Sequence, residues 1–256
     1  MALRLAIVTG AAGDIGRAIA RRLRGDHEVV LLADRDQPAA EKVAVELGAG
    51  FVPVQLDVTD PEACAAFAKT VAALGALQTL VNNAGGVQAA SLQSTSVADW
   101  QADRALNLDA VFLLFSALAP QLKATQGSVV NIASVNGLGV YGHPAYSAAK
   151  AGMIHLTRQI AVEYGKFGTR ANSVAPGTVR TQAWEARAAA NPDIFAEAAA
   201  HCPLGRIARA EDVAEAVGFL ASDLAGAITG ICLPVDCGRT AGIPALASTF
   251  SQSADY

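Results

Sequence analysis

The chain has 256 residues, of which 52% are hydrophobic and 16% charged, with a formal net charge of −4. That balance supports a large buried core and excludes disorder, and the absence of a basic block excludes nucleic acid as a partner. Met1 to Gly10 reads as a buried strand and not as an export signal. No apolar run is expected to span a membrane, since the best candidate, Ala105 to Ala119, is broken by Asn107 and Asp109. A cytoplasmic protein with no membrane partner is expected. Cys64, Cys202, Cys232 and Cys237 lack paired Cys-x-x-Cys spacing, so they read as reduced thiols and no metal site is expected.

Leu5 to Val8 reads as the first strand. Thr9-Gly10-Ala-Ala-Gly13-Asp14-Ile15-Gly16 follows, then a helical pattern through Leu23. A strand, a glycine turn and a helix in that order let backbone approach a pyrophosphate at a helix N-terminus. The second strand, Glu28 to Ala33, ends in Asp34, 18 residues past Gly16, close to the offset of a ribose-binding acid. A carboxylate there accepts from both ribose hydroxyls and repels a 2′-phosphate, which favours NAD over NADP. Arg35 is the counter-argument, because a guanidinium pairs well with phosphate. A strand over Phe51 to Leu56 leads to Asp57 and Val58, and a helix runs from Pro61 to Leu74. A fourth strand, Leu77 to Val81, runs into Asn82-Asn83-Ala84-Gly85. Strands alternating with helices predict a parallel sheet covered on both faces, in a doubly wound α/β fold. Right-handed crossovers then bring the Gly10 turn, Asp34, Asp57 and Asn83 to one edge.

In the second half, a long helical stretch after Val97 contains Asn107, and the strand Ser128 to Ala133 ends in Ser134. The loop Val135 to Pro144 opens a helix carrying Tyr146-Ser-Ala-Ala-Lys150, which stops between Gly165 and Gly168. Residues four apart share one helix face, so a phenol and an ammonium are neighbours. A charge at about 4 Å in an effective dielectric near 20 interacts by roughly 4 kcal/mol, enough to lower a phenol by up to about 3 pKa units. The expectation is a tyrosine tuned toward a general base.

These residues together resemble the short-chain dehydrogenase/reductase family across residues 3 to 238. The matches are Thr9-Gly10 through Gly16, Asp57, Asn83-Ala84-Gly85, Asn107, Ser134, Tyr146-x-x-x-Lys150, Pro176-Gly177 and Val235-Asp236. The resemblance implies one Rossmann-type domain over 1–256, with 1–100 mainly binding dinucleotide, 101–205 carrying catalysis and a lid, and 239–256 a tail. It implies Tyr146 as general base or acid, Ser134 as hydrogen-bond partner of the substrate oxygen, and Lys150 as binder of the nicotinamide ribose. Asn107 would hold a relay water. The implied NAD site comprises Gly10, Asp14, Ile15, Gly16, Asp34, Asp57, Val58, Asn83, Ala84, Gly85, Tyr146, Lys150, Pro176, Gly177, Val179 and Thr181. A homotetramer or homodimer is also implied.

Two positions depart from the family pattern. Asp14 stands where the phosphate turn usually has glycine; it is expected to cap the next helix, with Gly13 supplying flexibility. Cys237 replaces another glycine and reads as packing. Substrate loops are expected at 86–91, 135–143 and 178–204, with Gln88, Ser134, Asn136, His143 and Trp184 as substrate contacts. His143 is either structural or a contact, and Trp184 either covers the substrate or packs under a lid of two short helices, Thr181 to Ala190 and Pro192 to His201. The few polar groups suit a small sugar, polyol or hydroxy acid. The alternative is a 3-oxoacyl-carrier-protein reductase using NADPH, which would profit from a basic patch; Lys123 and Lys166 are its only candidates. The tail after Gly238 either lies on a neighbouring subunit or the substrate mouth, or frays.

Overall fold

A computed structural model describes residues 2–255, and the side chains of all of these except residues 183, 186 and 187. Seven strands form one parallel sheet in the order β3-β2-β1-β4-β5-β6-β7. They are β1 Arg4–Thr9, β2 Val29–Asp34, β3 Phe51–Gln55, β4 Ala76–Asn82, β5 Ser128–Ile132, β6 Arg170–Pro176 and β7 Cys232–Val235. The strand order reverses between β1 and β4, the point at which open sheets of this kind hold ligands. The helices are α1 Asp14–Leu23, α2 Gln37–Leu47, α3 Pro61–Leu74, α4 Val97–Arg104, α5 Ala110–Thr125, α6 Pro144–Tyr164, α7 Glu185–Ala190, α8 Ile194–Ala200, α9 Ala210–Ala221 and α10 Pro244–Ser251.

Successive side chains of a strand point to opposite faces, and the central strands obey this closely. Ala6 and Val8 of β1 join Ile19, Leu23, Val213 and Val217 of α1 and α9, while Leu5 and Ile7 join Phe67, Leu114 and Leu118 of α3 and α5. Both faces are therefore sealed by helices, and fully burying each such leucine or isoleucine contributes about 1.5–3 kcal/mol.

The second core is tied to α6 by a buried polar chain. Asn82 Nδ2 donates to Asn131 Oδ1 at 2.8 Å, and Asn131 Nδ2 donates to Thr157 Oγ1 at 2.9 Å. Ser173 Oγ donates to the same Thr157 oxygen at 2.8 Å, and Thr157 donates to Met153 O at 2.8 Å. A satisfied buried network fixes geometry more sharply than apolar packing does, so β4, β5 and β6 hold α6 in one register.

A π-helical turn, Ala105–Asp109, joins α4 and α5 into one run. By length and composition the 29-residue run Val97–Thr125 is apolar enough to cross a membrane, contrary to the expectation that no stretch qualifies. Yet 44% of its most apolar window is buried in this fold, and Asn107 within it is fully enclosed. It covers the sheet as a core helix.

Candidate active site

Pro144 takes the first turn of α6, where its missing N–H is no loss. Tyr146 and Lys150 follow one turn apart, with the Lys150 Nζ 5.5 Å from the centre of the Tyr146 ring. Lys150 is 2% exposed, and its Nζ donates to Ile132 O at 2.7 Å. No described carboxylate pairs with it. Burial therefore pushes its ammonium down to about 7.

The phenol behaves opposite to the sequence expectation. Burial pushes the Tyr146 pKa up, the Ser134 hydroxyl works against that rise, and the Asp103 charge adds to it. The lysine fails to dominate because the same burial strips its own charge near neutral pH.

Asn107 lies in the π turn, a feature often found at functional sites. Its Nδ2 donates to Gly86 O and Asp103 O, both at 2.8 Å, and its Oδ1 accepts from the Gly86 N–H at 3.3 Å. A Cβ added to Gly85 would stand 2.9 Å from Asn107 Oδ1 and 3.5 Å from Lys150 Nζ. Gly85 thus marks the point where the strand loop, the π turn and the lysine meet. Asp103 was not singled out from the sequence. It is 2% exposed, its Oδ2 accepts from the Gln88 N–H at 3.4 Å, and its Oδ1 is unpartnered among the described contacts. Burial pushes its carboxyl up, against the backbone N–H groups of Gln88 and Tyr146 and the charge of His143.

The β1 turn is stapled to the β4 loop. Asn83 Nδ2 donates to Thr9 O at 2.9 Å and Gly10 O at 3.1 Å, and Thr9 Oγ1 accepts from the N–H groups of Asn83 and Ala84. A Cβ on Gly16 would stand 2.3 Å from Gly10 O, so this position excludes any side chain. Asp34 closes β2, its Oδ2 accepting from the Ala12 N–H at 3.0 Å and its Oδ1 from the Asp36 N–H at 3.1 Å. Asp57 is exposed beyond β3, where the hydroxyl and N–H of Thr59 hold its carboxyl below the usual range; Val58 beside it is buried.

Asp14 does not cap α1. The helix begins at Asp14 itself, with Gly13 as the cap residue and no side-chain hydrogen bond there. Gly13 has φ −76°, which any residue adopts, so it supplies no special flexibility. The Asp14 carboxylate instead pairs with Arg17 at 3.2 Å and accepts from the Gln182 N–H at 2.7 Å. These groups fit a nicotinamide dinucleotide: a helix end without a side-chain cap suits pyrophosphate, and the acid at the end of β2 suits a ribose.

One cleft of about 820 Å³ runs from Ile15, Asn83 and Gly85 past Ser134, Tyr146 and Lys150 to Pro176, Gly177, Val179 and Thr181. Of the expected substrate contacts, Ser134, Asn136, His143 and Trp184 line it. Gln88 does not; its side chain is exposed, and Val87 lines the cleft in its place because the Gln88 N–H is drawn to Asp103. Asn136 is partly spent on its own loop, its Nδ2 donating to Gly142 O and Ser147 Oγ. His143 Nδ1 lies 3.0 Å from Ala89 O. Trp184 ends the short turn Gln182–Trp184 before α7 and leans on Phe195 of α8 with ring centres 6.0 Å apart; the two short helices expected here are α7 and α8. Tyr141, Glu197, His201 and Arg239 also line the cleft.

Cys237 is buried with φ 57°, a left-handed conformation that favours glycine, and all four cysteines are unpaired. A separate polar cavity of about 310 Å³ lies at the opposite edge, around Arg4, His27 and Arg170. The Arg170 guanidinium there is spent on the carbonyls of Leu220, Ala221 and Ser222.

Residues 10–240 match a family model described as enoyl-(acyl carrier protein) reductase. The chain is 39% identical over 241 residues to meso-2,3-butanediol dehydrogenase of Serratia marcescens, covering 93% of this chain and 95% of the relative. It is 41% identical over 244 residues to cis-4-hydroxycyclohexanecarboxylate dehydrogenase of Sinomonas cyclohexanicum, covering 93% and 97%. A crystal structure of a short-chain dehydrogenase/reductase-family oxidoreductase from Burkholderia thailandensis superposes with a TM-score of 0.93 at 42% identity, over 100% of both chains.

Proposed function

Because the chain belongs to the short-chain dehydrogenase/reductase family, we propose that it interconverts a small polar secondary alcohol and its ketone, using NAD(H). The observation that carries this reading is that Ser134, Tyr146 and Lys150 line one cleft with Ile15 at the start of α1 and with Asn83, Gly85 and Gly86 of the β4 loop. In alcohol oxidation the Tyr146 phenolate accepts the hydroxyl proton. Ser134 Oγ hydrogen-bonds the same substrate oxygen and steadies its developing charge. Lys150, buried and near the middle of its own titration at neutral pH, passes protons and holds the phenol's surroundings positive when charged. When bound, the nicotinamide supplies the two-electron acceptor for the hydride. The proposed nicotinamide ribose contact is Lys150, and the proposed ring contacts are Pro176, Gly177 and Thr181.

Relatives named for butanediol and hydroxycyclohexanecarboxylate oxidation support a free alcohol. Asp34 at the end of β2 supports NAD over NADP. The runner-up, an NADPH-linked reductase of carrier-bound 3-oxoacyl groups, is favoured by the family model's description. It is opposed by the position of Lys123 and Lys166: both sit on Phe167, near the starts of β5 and β6 and away from the catalytic edge. A cytoplasmic homotetramer or homodimer completes the proposal. The test is a spectrophotometric screen of NAD and NADP against sugars, polyols, hydroxy acids and acyl thioesters. Tyr146→Phe is expected to lower kcat about 10²- to 10⁴-fold. A Tyr146→Phe enzyme of full activity, or turnover of thioesters alone, would overturn the reading.

A further inference from the structure

Arg239 lines the catalytic cleft, and its surroundings are unlike those of the paired surface arginines. The loop that carries it is fixed by Asp236, whose Oδ1 accepts from the Gly238 N–H at 2.9 Å. Asp236 Oδ2 accepts from the Thr240 N–H at 2.8 Å and its Oγ1 at 2.7 Å. The Arg239 side chain is half-buried and lies over the Tyr141 ring, 4.7 Å from its centre. Among the described contacts its guanidinium makes one hydrogen bond, Nη1 donating to Thr178 Oγ1 at a long 3.4 Å. So the guanidinium bridges two of the loops expected to shape the substrate site, one after β5 and one after β6.

What it lacks is a counter-ion. Arg17, Arg21, Arg22, Arg104, Arg206 and Arg209 each pair with a carboxylate, whereas Arg239 has none within 4 Å among the described residues. Among the described residues Glu197 is the one acidic side chain lining the cleft, and its Oε2 already accepts from Asn191 Nδ2 at 2.9 Å. A cation partly withdrawn from water without a partner is costly. Apart from Nη1, which reaches Thr178, the guanidinium N–H donors beside Tyr141 have no partner among the described contacts, and such a fork of donors grips a carboxylate with two parallel bonds.

We infer that Arg239 binds a carboxylate of the alcohol substrate, so that the enzyme acts on secondary hydroxy acids in preference to neutral alcohols, sugars or polyols. The inference rests on the proposed dehydrogenase reading of this cleft. The purified full chain with NAD would be assayed on 3-hydroxybutanoate, 4-hydroxypentanoate and 4-hydroxycyclohexanecarboxylate, each beside its methyl ester. At least one acid is expected to exceed its ester in kcat/KM by roughly 10- to 100-fold, mainly through KM, the range for a hydrogen bond between charged groups. Arg239→Met is expected to bring that ratio close to one, and Arg239→Lys to restore part of it. Equal kcat/KM for acids and esters in the wild type would overturn the inference while leaving the dehydrogenase reading intact. So would an Arg239→Met effect that appears as a weaker NAD KM instead of a changed ratio. If no probe is oxidised, binding of the same acids to the NADH complex of Tyr146→Phe would be measured by NADH fluorescence. Acid-selective binding lost in the double variant with Arg239→Met then supports the carboxylate site although the redox reading fails. Binding without that selectivity, or no binding, overturns it.

Discussion

The buried ammonium of Lys150 makes a measurable statement about stability. Its pKa falls from the ordinary 10.5 to about 7 because the side chain is withdrawn from water with no carboxylate beside it. At about 1.36 kcal/mol per pKa unit, this displacement corresponds to about 5 kcal/mol of destabilisation when the group is charged in both states. The unfolded chain binds the proton more tightly than the folded one, so stability attributable to this group rises with pH between about 7 and 10.5. The full penalty applies below pH 7. By pH 9 the folded lysine is neutral and the penalty has shrunk to about 2 kcal/mol on the same linkage relation. Lys150→Met removes the titration while filling a similar volume. The stability difference between the variant and the wild type should therefore become less favourable to the variant by about 2–3 kcal/mol from pH 6 to pH 9. Loss of the 2.7 Å bond to Ile132 O adds an offset that does not vary with pH in this window. Urea unfolding of both proteins at matched concentration measures the difference. A gap that stays flat between pH 6 and pH 9 would refute the argument that burial neutralises this lysine.

Two further outcomes follow from the same geometry. Gly16→Ala puts a methyl group 2.3 Å from Gly10 O and 2.8 Å from Ala11 Cα, backbone atoms that cannot swing away. Overpacking of this kind costs about 1–3 kcal/mol, and NADH titration should show loss of binding at concentrations that saturate the wild type; unchanged affinity would remove the β1 turn from the cofactor site. Asp103→Asn takes away a charge that raises the Tyr146 pKa. The lower limb of the oxidation pH–rate profile, where the phenol loses its proton, should move to lower pH, and a limb that moves up or stays would contradict the assigned coupling.

The parts of the molecule that were legible in the sequence are those set by local signals. The helix expected over Pro61 to Leu74 is found over those residues, because Asp60 caps it through the N–H groups of Glu62 and Ala63 and Gly75 ends it. The glycine turn between β1 and α1, the residues at the strand ends and the Tyr146 helix were legible for the same reason. What was not legible depends on partners distant in sequence. Nothing around Asp103 announces that a carboxylate will be buried there; it follows from α4 packing against α6 and the Gln88 loop. The sign of the Tyr146 displacement was missed because spacing on a helix fixes proximity to Lys150, whereas burial of both groups is decided by the sheet beneath them. Arg239 and Tyr141 lie on loops far apart in the chain, and the β5-β6-β7 order of the sheet brings them together.

Asp14 shows how a glycine turn between a strand and a helix can carry an acid. The backbone there does not need glycine: α1 starts at Asp14 itself, with ordinary helical hydrogen bonding from the Arg17 N–H to Gly13 O at 2.8 Å. The acid's charge sits in the first turn, where the helix dipole favours it, and it is offset by Arg17, which also reaches Glu46 at 3.1 Å. The pair is partly exposed, so its net contribution is small. Its directional consequence is larger, since the second carboxylate oxygen holds the Gln182 N–H at 2.7 Å. That bond joins the short turn Gln182–Trp184, which leads into α7, to the start of α1. A residue that looks like a defect when read for phosphate affinity is thereby a strut between α1 and the segment that leads into α7.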